Sequence, residues 1–251
     1  MSEISSDNLH HFTHSLEILQ SILLNGFYPH ITEEDISFIL KYIPNAKAGF
    51  PIVCFCDLPN NFLEIHKKQY GNYGLSLSKE WGIKKGINPV MYVSDKNAQV
   101  MNYYRSIQQF ILNKDFSDFI DAHKDAYGKR VEEIMQDYFF NVLCMSAFLR
   151  RYEDGNARFY DEREWRYLFI DDKLSLIYQI YLTDQKNFDL QKRNIELQKH
   201  PLQFDIADIR TIFVTTKDEK VDLVHKLIST EKFSDKKNLL EELIVIGEDG
   251  K

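Results

Sequence analysis

The alternation of hydrophobic and polar positions predicts short strands scattered among helices. A first strand is predicted over residues 9–13 and a helix after it, because apolar residues recur at helical spacing from Leu16 to Leu23. Ser15 is the predicted N-cap of this helix, and Asn25-Gly26 is its predicted end. The opening of the chain therefore predicts a strand, a helix and a glycine stop.

The same pattern predicts the remaining elements. Short runs of alternating or continuous apolar residues favour strands, and apolar residues three or four apart favour helices. The predicted helices cover residues 33–42, 61–70 and 217–228, with shorter helical pieces at 79–81 and 206–210. The predicted strands cover residues 52–56, 73–77, 90–93, 165–170, 177–182, 211–215 and 243–246. A loop is predicted at residues 44–50.

Two long helical patterns, at about 98–113 and 131–149, predict a helical lobe inserted at about 98–150. The remaining order of elements lacks the steady strand–helix repeat of a doubly wound sheet, and no glycine-rich phosphate loop is present. We therefore expect one α+β domain over residues 1–251, with a mixed sheet core. No apolar run approaches the roughly 20 residues needed to cross a bilayer, so no membrane association is expected.

The net charge limits the kinds of partner, and the cysteine content indicates the compartment. The formal net charge of −7 argues against a surface broadly coated by nucleic acid, because phosphate contacts need lysine and arginine. Lys79, Lys84 and Lys85 could form a local basic rim or simply a solvated helix face. Three cysteines and no secretory signal predict a reducing cytoplasm. Cys54 and Cys56 are interpreted as small apolar strand residues.

The charged run at residues 161–167, Asp-Glu-Arg-Glu-Trp-Arg-Tyr, carries the strongest chemical signal. Strand alternation places Glu162, Glu164 and Arg166 on one face. Two carboxylates and a guanidinium beside an apolar core are costly unless they are paired or used. The run is therefore either an ion-pair ladder on the surface or part of a functional site.

Two further polar blocks lie in apolar settings. His11 and Thr13 share one face of the first predicted strand, where His11 is either a satisfied core histidine or a ligand contact. Tyr70-Gly71 and Tyr73-Gly74 place two rings beside glycines that allow close backbone approach. This second block is either a tight corner with ordinary aromatic packing or part of a binding site.

The order of these motifs resembles the AbiGi-type family of abortive phage infection proteins. The matching blocks are His-Phe-Thr with its helix, Cys-Phe-Cys-Asp-Leu-Pro at 54–59, Tyr-Gly-Asn-Tyr-Gly-Leu at 70–75 and Glu-Arg-Glu-Trp-Arg at 162–166. The resemblance implies a role in phage defence within a toxin–antitoxin pair, and a cognate toxin or antitoxin protein as partner.

A more distant resemblance links the opening motif to the ADP-ribosyltransferase fold of DarT-like and KptA-like enzymes. It implies NAD as substrate and a nucleic acid or a protein as acceptor. A carboxylate on the ribose 2′-hydroxyl would favour the oxocarbenium ion that forms when nicotinamide leaves. The resemblance implies Glu164 and Glu162 as catalytic acids, His11 as the ribose contact and Thr13 as a nicotinamide contact. It implies Tyr73 or Tyr70 as the ring that stacks on nicotinamide, and Arg166 as the residue that orients Glu164 or binds pyrophosphate. Arg105, Arg150 and Arg151 are further arginines that could bind NAD.

The sequence thus leaves an enzyme and a binding protein as competing hypotheses. The transferase hypothesis requires His11, Tyr73 and Glu164 to line one cleft. The alternative is a non-catalytic antitoxin or phage sensor in which neighbouring arginines satisfy Glu164. A metal-dependent nuclease using His10, His11 and His14 is a weaker third hypothesis; no metal site is predicted.

Overall fold

The structure, a computed structural model, describes residues 5–38, 47–94, 144–155, 157–170 and 190–247, with a few positions such as 180–181 between these ranges. In this part of the chain the strands form a sheet covered by helices. The strands are β1 (Asn8–Thr13), β2 (His30–Asp35), β3 (Lys47–Cys56), β4 (Tyr73–Ser78), β5 (Asn88–Pro89), β6 (Met91–Val93), β7 (Leu149–Arg151), β8 (Glu164–Leu168), β9 (Ile180–Tyr181), β10 (Ile209–Val214) and β11 (Ile244–Ile246). The α-helices are α1 (Leu16–Asn25), α2 (Leu63–Tyr70), α3 (Lys79–Lys84), α4 (Leu190–Leu197), α5 (Lys217–Ile228) and α6 (Lys237–Leu243).

Strand β3 organises the sheet, because β1, β2, β8 and β9 all pair with it antiparallel. The order of the described strands along the sheet is β11-β10-β4-β1-β3-β8-β5. The β10–β11 pair is parallel, whereas β10–β4, β4–β1 and β8–β5 are antiparallel. Strands β6 and β7 form a separate parallel pair.

The two faces of the sheet pack against different elements. Leu9, Phe55 and Leu75 lie on one face, where α1, α3, α5 and α6 complete the largest core cluster. Phe12 and Cys56 lie on the other face and pack against Leu63 of α2. Paired residues of a ladder share a face, and neighbours along a strand point to opposite faces. The strand register therefore fixes the side of the sheet on which each polar residue lies.

Several predicted elements are confirmed, and α1 begins at its predicted N-cap. The Ser15 hydroxyl accepts a hydrogen bond of 3.2 Å from the backbone N–H of Ile18, and α1 ends at Gly26 with a φ of 87°. Helix α5 occupies the predicted residues 217–228 and begins with a capping box formed by Thr216 and Glu219. Strand β4, helix α2 and strand β10 also lie within a few residues of their predicted places.

The helix predicted over 33–42 and the loop predicted over 44–50 are wrong where the structure describes them. Residues 30–35 form β2, and residues 47–56 form the continuous strand β3. Ile31 pairs with Pro51 and Glu33 with Gly49 across this ladder. Pairing between distant segments supplies the backbone hydrogen bonds here and overrides a weak local helical pattern.

The α+β class with a mixed sheet is confirmed. The helical insertion predicted at about 98–150 falls largely outside the described residues, and at its end residues 149–151 form strand β7 rather than helix. A single domain over 1–251 and an ADP-ribosyltransferase-like core stay predictions. Within the described ranges, no helix is both long and apolar enough to cross a membrane.

Glycines of the Tyr-Gly block allow β4 and the turn before it to approach β1 closely. An added Cβ at Gly71, which has a φ of 108°, would lie 2.1 Å from the carbonyl oxygen of Thr13. An added Cβ at Gly74 would lie 2.4 Å from the Phe12 ring. Close packing within the chain therefore accounts for both glycines without a ligand.

We predict that Gly71→Ala lowers the free energy of unfolding by about 2–6 kcal/mol. The reason is that backbone strain of about 1–3 kcal/mol adds to overpacking of about 1–3 kcal/mol. Urea denaturation of the purified variant measures the loss. Gly86→Ala is the matched control, because Gly86 has a φ of 76° but an added Cβ there meets nothing within 4 Å, and only about 1–2 kcal/mol is expected. Equal losses in the two variants would contradict the close approach.

Candidate functional site

Strand β8 carries the charged run into the interior of the sheet. Glu164 and Arg166 are 6% and 1% exposed and lie on one face, while Trp165 and Tyr167 pack against the large core on the other. The face predicted for Glu164 and Arg166 is confirmed. The charged residues are ion-paired, as one interpretation predicted, but the pairs are buried and do not lie on the surface.

Glu162 does not belong to the strand, as the alternation had placed it. It lies in the 3₁₀ turn Phe159–Glu162, and the next residue, Arg163, has a left-handed backbone with a φ of 46°. This reversal separates the turn from β8. Glu162 nevertheless contacts the same charged cluster as Glu164, because Arg150 bridges the two carboxylates.

Arg166 is held by four polar contacts. Its Nε donates to Glu164 Oε1 at 2.7 Å and its Nη2 to Glu164 Oε2 at 3.0 Å, which makes a bidentate pair. Its Nη2 also donates to Glu34 Oε1 at 3.0 Å, and its Nη1 donates to the carbonyl oxygen of Ala147 at 2.6 Å. The guanidinium therefore ties β8 to β2 and to the segment before β7.

Arg150, on β7, completes the cluster. Its Nη1 donates to Glu164 Oε2 at 2.5 Å and to Glu162 Oε2 at 2.8 Å, and its guanidinium lies 4.3 Å from the centre of the Phe159 ring. Tyr70 Oη donates to Glu162 Oε2 at 3.2 Å. Both oxygens of Glu164 thus accept hydrogen bonds from arginines, whereas the contacts of Glu162 converge on one oxygen.

The electrostatics of the cluster favour an ionised Glu164. Burial raises the pKa of its carboxyl, but Arg166 and Arg150 lower that pKa by more than burial raises it, so that the net shift is downward. Burial raises the pKa of Glu34, partly opposed by Arg166, as expected where three carboxylates share two guanidiniums. Burial also raises the pKa of the neighbouring Cys54 thiol, which favours the protonated, unreactive form.

His11, Thr13 and Tyr73 lie on the opposite face of the sheet from Glu164. His10 pairs with Cys56 and Cys56 pairs with Glu164, so these three share a face, whereas Thr13 pairs with Tyr73 on the other. His11 points to that second face, because it is next to His10 along β1. The predicted cleft that would unite His11, Tyr73 and Glu164 is therefore not formed.

Contacts within the core account for His11 and Tyr73. The Nδ1–H of His11 donates to the carbonyl oxygen of Cys54 at 2.8 Å, and its ring packs 5.0 Å from Phe27. Burial lowers the pKa of His11. Tyr73 Oη donates to Glu219 Oε1 at 2.6 Å, at the start of α5. The satisfied-core interpretation therefore describes His11, and the tight corner with ordinary packing describes the partly buried Tyr73.

Sequence reasoning placed His11 with Glu164 and considered His10 only as a metal ligand, whereas His10 is the histidine on the face of Glu164. His10 Nδ1 is hydrogen-bonded to Ser76 Oγ at 2.5 Å, and burial lowers its pKa to about 4, so the ring is neutral at physiological pH. The local pattern does not decide between His10 and His11, since the two are adjacent in one strand, between Leu9 and Phe12. Within the described residues, no group of three or more His, Cys, Asp and Glu side chains could hold a metal.

A cavity of about 680 Å³ opens beside the cluster, between α2 and the turn at residues 157–163. Its walls include Phe62, Ile65 and His66 from the α2 side, and Tyr160 and Glu162 from the turn. Burial lowers the pKa of His66 to about 4, so this wall is uncharged at neutral pH. Glu162 therefore connects the buried ion pairs to a space large enough for a ligand.

The comparisons with known proteins identify the family. The family model described as abortive phage resistance protein AbiGi, antitoxin, matches residues 25–215. This chain belongs to the AbiGi family. The abortive phage resistance protein AbiGi of Lactococcus lactis subsp. cremoris is 25% identical over 209 residues, which cover 75% of this chain and 82% of that protein. No solved structure matches the chain.

The predicted resemblance to the AbiGi family of abortive phage resistance proteins is thereby confirmed. The AbiGi match begins after strand β1, so His11 and Thr13 lie outside it, whereas Tyr70, Glu162, Glu164 and Arg166 lie within it.

We predict that Glu164→Gln lowers the free energy of unfolding of this AbiGi protein by about 3–5 kcal/mol, because it leaves Arg166 buried without its carboxylate. Denaturation in urea at pH 7 measures the loss. The control is Glu153→Gln, which changes an exposed carboxylate and should stay within about 0.5 kcal/mol of wild type. A Glu164→Gln variant as stable as wild type would show that the cluster does not support the fold.

Proposed function

We propose that this chain acts in abortive phage infection as an antitoxin-type binding protein that restrains a partner protein in the cytoplasm. The observation that carries the proposal is the state of Glu164, whose two carboxylate oxygens accept hydrogen bonds from Arg166 and Arg150 in a buried site. The description of the family as an antitoxin supports the same conclusion.

The transferase alternative requires a carboxylate that is free to accept a hydrogen bond from the ribose 2′-hydroxyl of NAD. Glu164 is occupied by arginines, and the imidazole of His11 and the ring of Tyr73 lie across the sheet from it. The net charge of −7 also disfavours a nucleic acid as acceptor. Neither NAD nor nucleic acid therefore gains support from the geometry.

A binding protein needs a surface suited to a partner, and one candidate lies at the cavity beside α2. Phe62 is 48% exposed, Ile65 is 72% exposed and Tyr160 is 46% exposed, and all three line that cavity. Clustered exposed apolar side chains are characteristic of interaction sites. We call this group, Phe62, Ile65 and Tyr160, the apolar rim.

Two assays of the same chain, one in cells and one with the pure protein, test the proposal. Co-expression with a growth-arresting cognate toxin should restore growth, and the two proteins should co-purify as a complex. Incubation of the pure chain with labelled NAD and cell lysate should transfer no more label than a sample without the chain. The contradicting result is NAD-dependent label in nucleic acid or protein together with no rescue of growth.

A surface variant extends this test to the apolar rim. We predict that Phe62→Ser combined with Ile65→Ser abolishes rescue and weakens the complex at least about tenfold, because truncating buried interface anchors costs more than 1 kcal/mol each. The control is Ile195→Ser on α4, which removes an apolar side chain that is 62% exposed but lies away from the cavity. Equal rescue by both variants would exclude the apolar rim from the interface.

A further inference from the structure

The cavity beside α2 has a chemical preference that the apolar rim alone does not explain. We propose that it receives an arginine side chain of the partner protein, whose guanidinium binds Glu162. This inference rests on the proposed function for the identity of the partner. The chemistry of the cavity can be tested without that partner.

The first argument is the incomplete bonding of Glu162. Its Oε2 accepts hydrogen bonds from Arg150 and from Tyr70, while its Oε1 accepts none from the part of the chain that the structure describes. A carboxylate has about four lone-pair sites, so capacity remains for a donor from outside. The Glu162 side chain is only 16% exposed, which limits how far water satisfies it.

The second argument is the charge available to Glu162. Arg150 uses the same Nη1 atom for Glu162 and for Glu164, and Arg166 is engaged by Glu164 and Glu34. The cluster sets three carboxylates against two guanidiniums. Its member at the cavity therefore favours an additional cation, and a partly buried carboxylate is screened less by salt than an exposed one.

The other charges at the cavity are one offsetting pair and one arginine, Arg163, that makes no ion pair with Glu162 among the described residues. Arg158 and Asp161 lie within 3.8 Å of each other, and their side chains are 58% and 65% exposed, so they largely offset one another in solvent. Arg163 also lines the cavity. Because Arg158 is paired with Asp161, Arg163 is the cation that an anionic ligand would use and that opposes a cationic one. Removing Arg163 should therefore weaken binding at an anion site and strengthen it at a cation site.

The walls favour arginine over lysine. Aromatic side chains of Phe62, Phe159 and Tyr160 and the neutral imidazole of His66 surround the space. A planar guanidinium stacks on such rings and presents several donors to a carboxylate, whereas an ammonium is a compact and strongly hydrated charge. The volume of about 680 Å³ leaves room for residues flanking the arginine.

The cavity chemistry is tested by NMR titration with N-acetylargininamide, compared with the neutral citrulline analogue and with inorganic phosphate. We expect millimolar binding of the arginine probe that shifts the His66 ring signals, at least about tenfold tighter than the citrulline probe. Glu162→Gln should lose at least about tenfold in affinity, Glu153→Gln should bind like wild type, and Arg163→Gln should bind the arginine probe more tightly. Urea denaturation confirms that each variant is folded.

Several results would overturn the inference. Equal binding of the arginine and citrulline probes, or wild-type affinity in Glu162→Gln, would exclude a cation site. Phosphate binding that is lost in Arg163→Gln would identify an anion site instead.

The role of the partner is tested separately in the toxin co-expression assay, where Glu162→Gln should lose rescue and Glu153→Gln should keep it. If the wild-type chain rescues growth and Glu162→Gln rescues equally well, the cavity is not the partner interface, although the proposed function stands. If the wild-type chain itself fails to rescue growth, the proposed function has failed, and the probe titration alone then reports on the cavity.

Discussion

The burial of the Arg166 guanidinium is the constraint on which the rest of the structure depends. Arginine does not lose its charge in a protein, and removing an ion from water costs several kcal/mol unless every donor finds a partner. Glu164, Glu34 and the carbonyl of Ala147 supply those partners. They come from β8, from β2 and from the segment that leads into β7, so one side chain fixes the relative positions of three parts of the chain.

The same interactions decide what the site can do. Both oxygens of the carboxylate that neutralises Arg166 already accept hydrogen bonds from arginines, so the residue proposed as catalytic from the sequence has a structural role in the fold. Glu162 is different, because Arg150 and Tyr70 contact only one of its oxygens and its side chain lines a cavity. Within one short segment, Glu164 therefore supports the fold and Glu162 is available to a partner. This division is compatible with the binding role proposed for this member of the AbiGi family.

The features that could be predicted from the sequence are those whose interacting residues are close together along the chain. The alternation in β8, the Ser15 cap of α1 and the extent of α5 are local, and the pattern predicted them correctly. The partner of Arg166 on β2, Glu34, lies 132 residues away in the sequence, and β2 itself was mistaken for a helix because only its pairing with β3 makes it a strand. The choice between His10 and His11 depends on the register of β1, and a shift of one residue moves a side chain to the other face. Cross-strand register of this kind is invisible in a single sequence.

A double-mutant cycle between Glu164→Gln and Arg166→Met, followed by urea denaturation, tests most directly whether this pair holds the fold together. If the two side chains act as one buried unit, the losses in unfolding free energy are strongly non-additive, with a coupling energy of at least about 2 kcal/mol, and the double variant is more stable than the sum of the single losses predicts. Additive losses, with each variant still folded, would show that Glu164 and Arg166 act independently and would contradict the structural role assigned to Glu164.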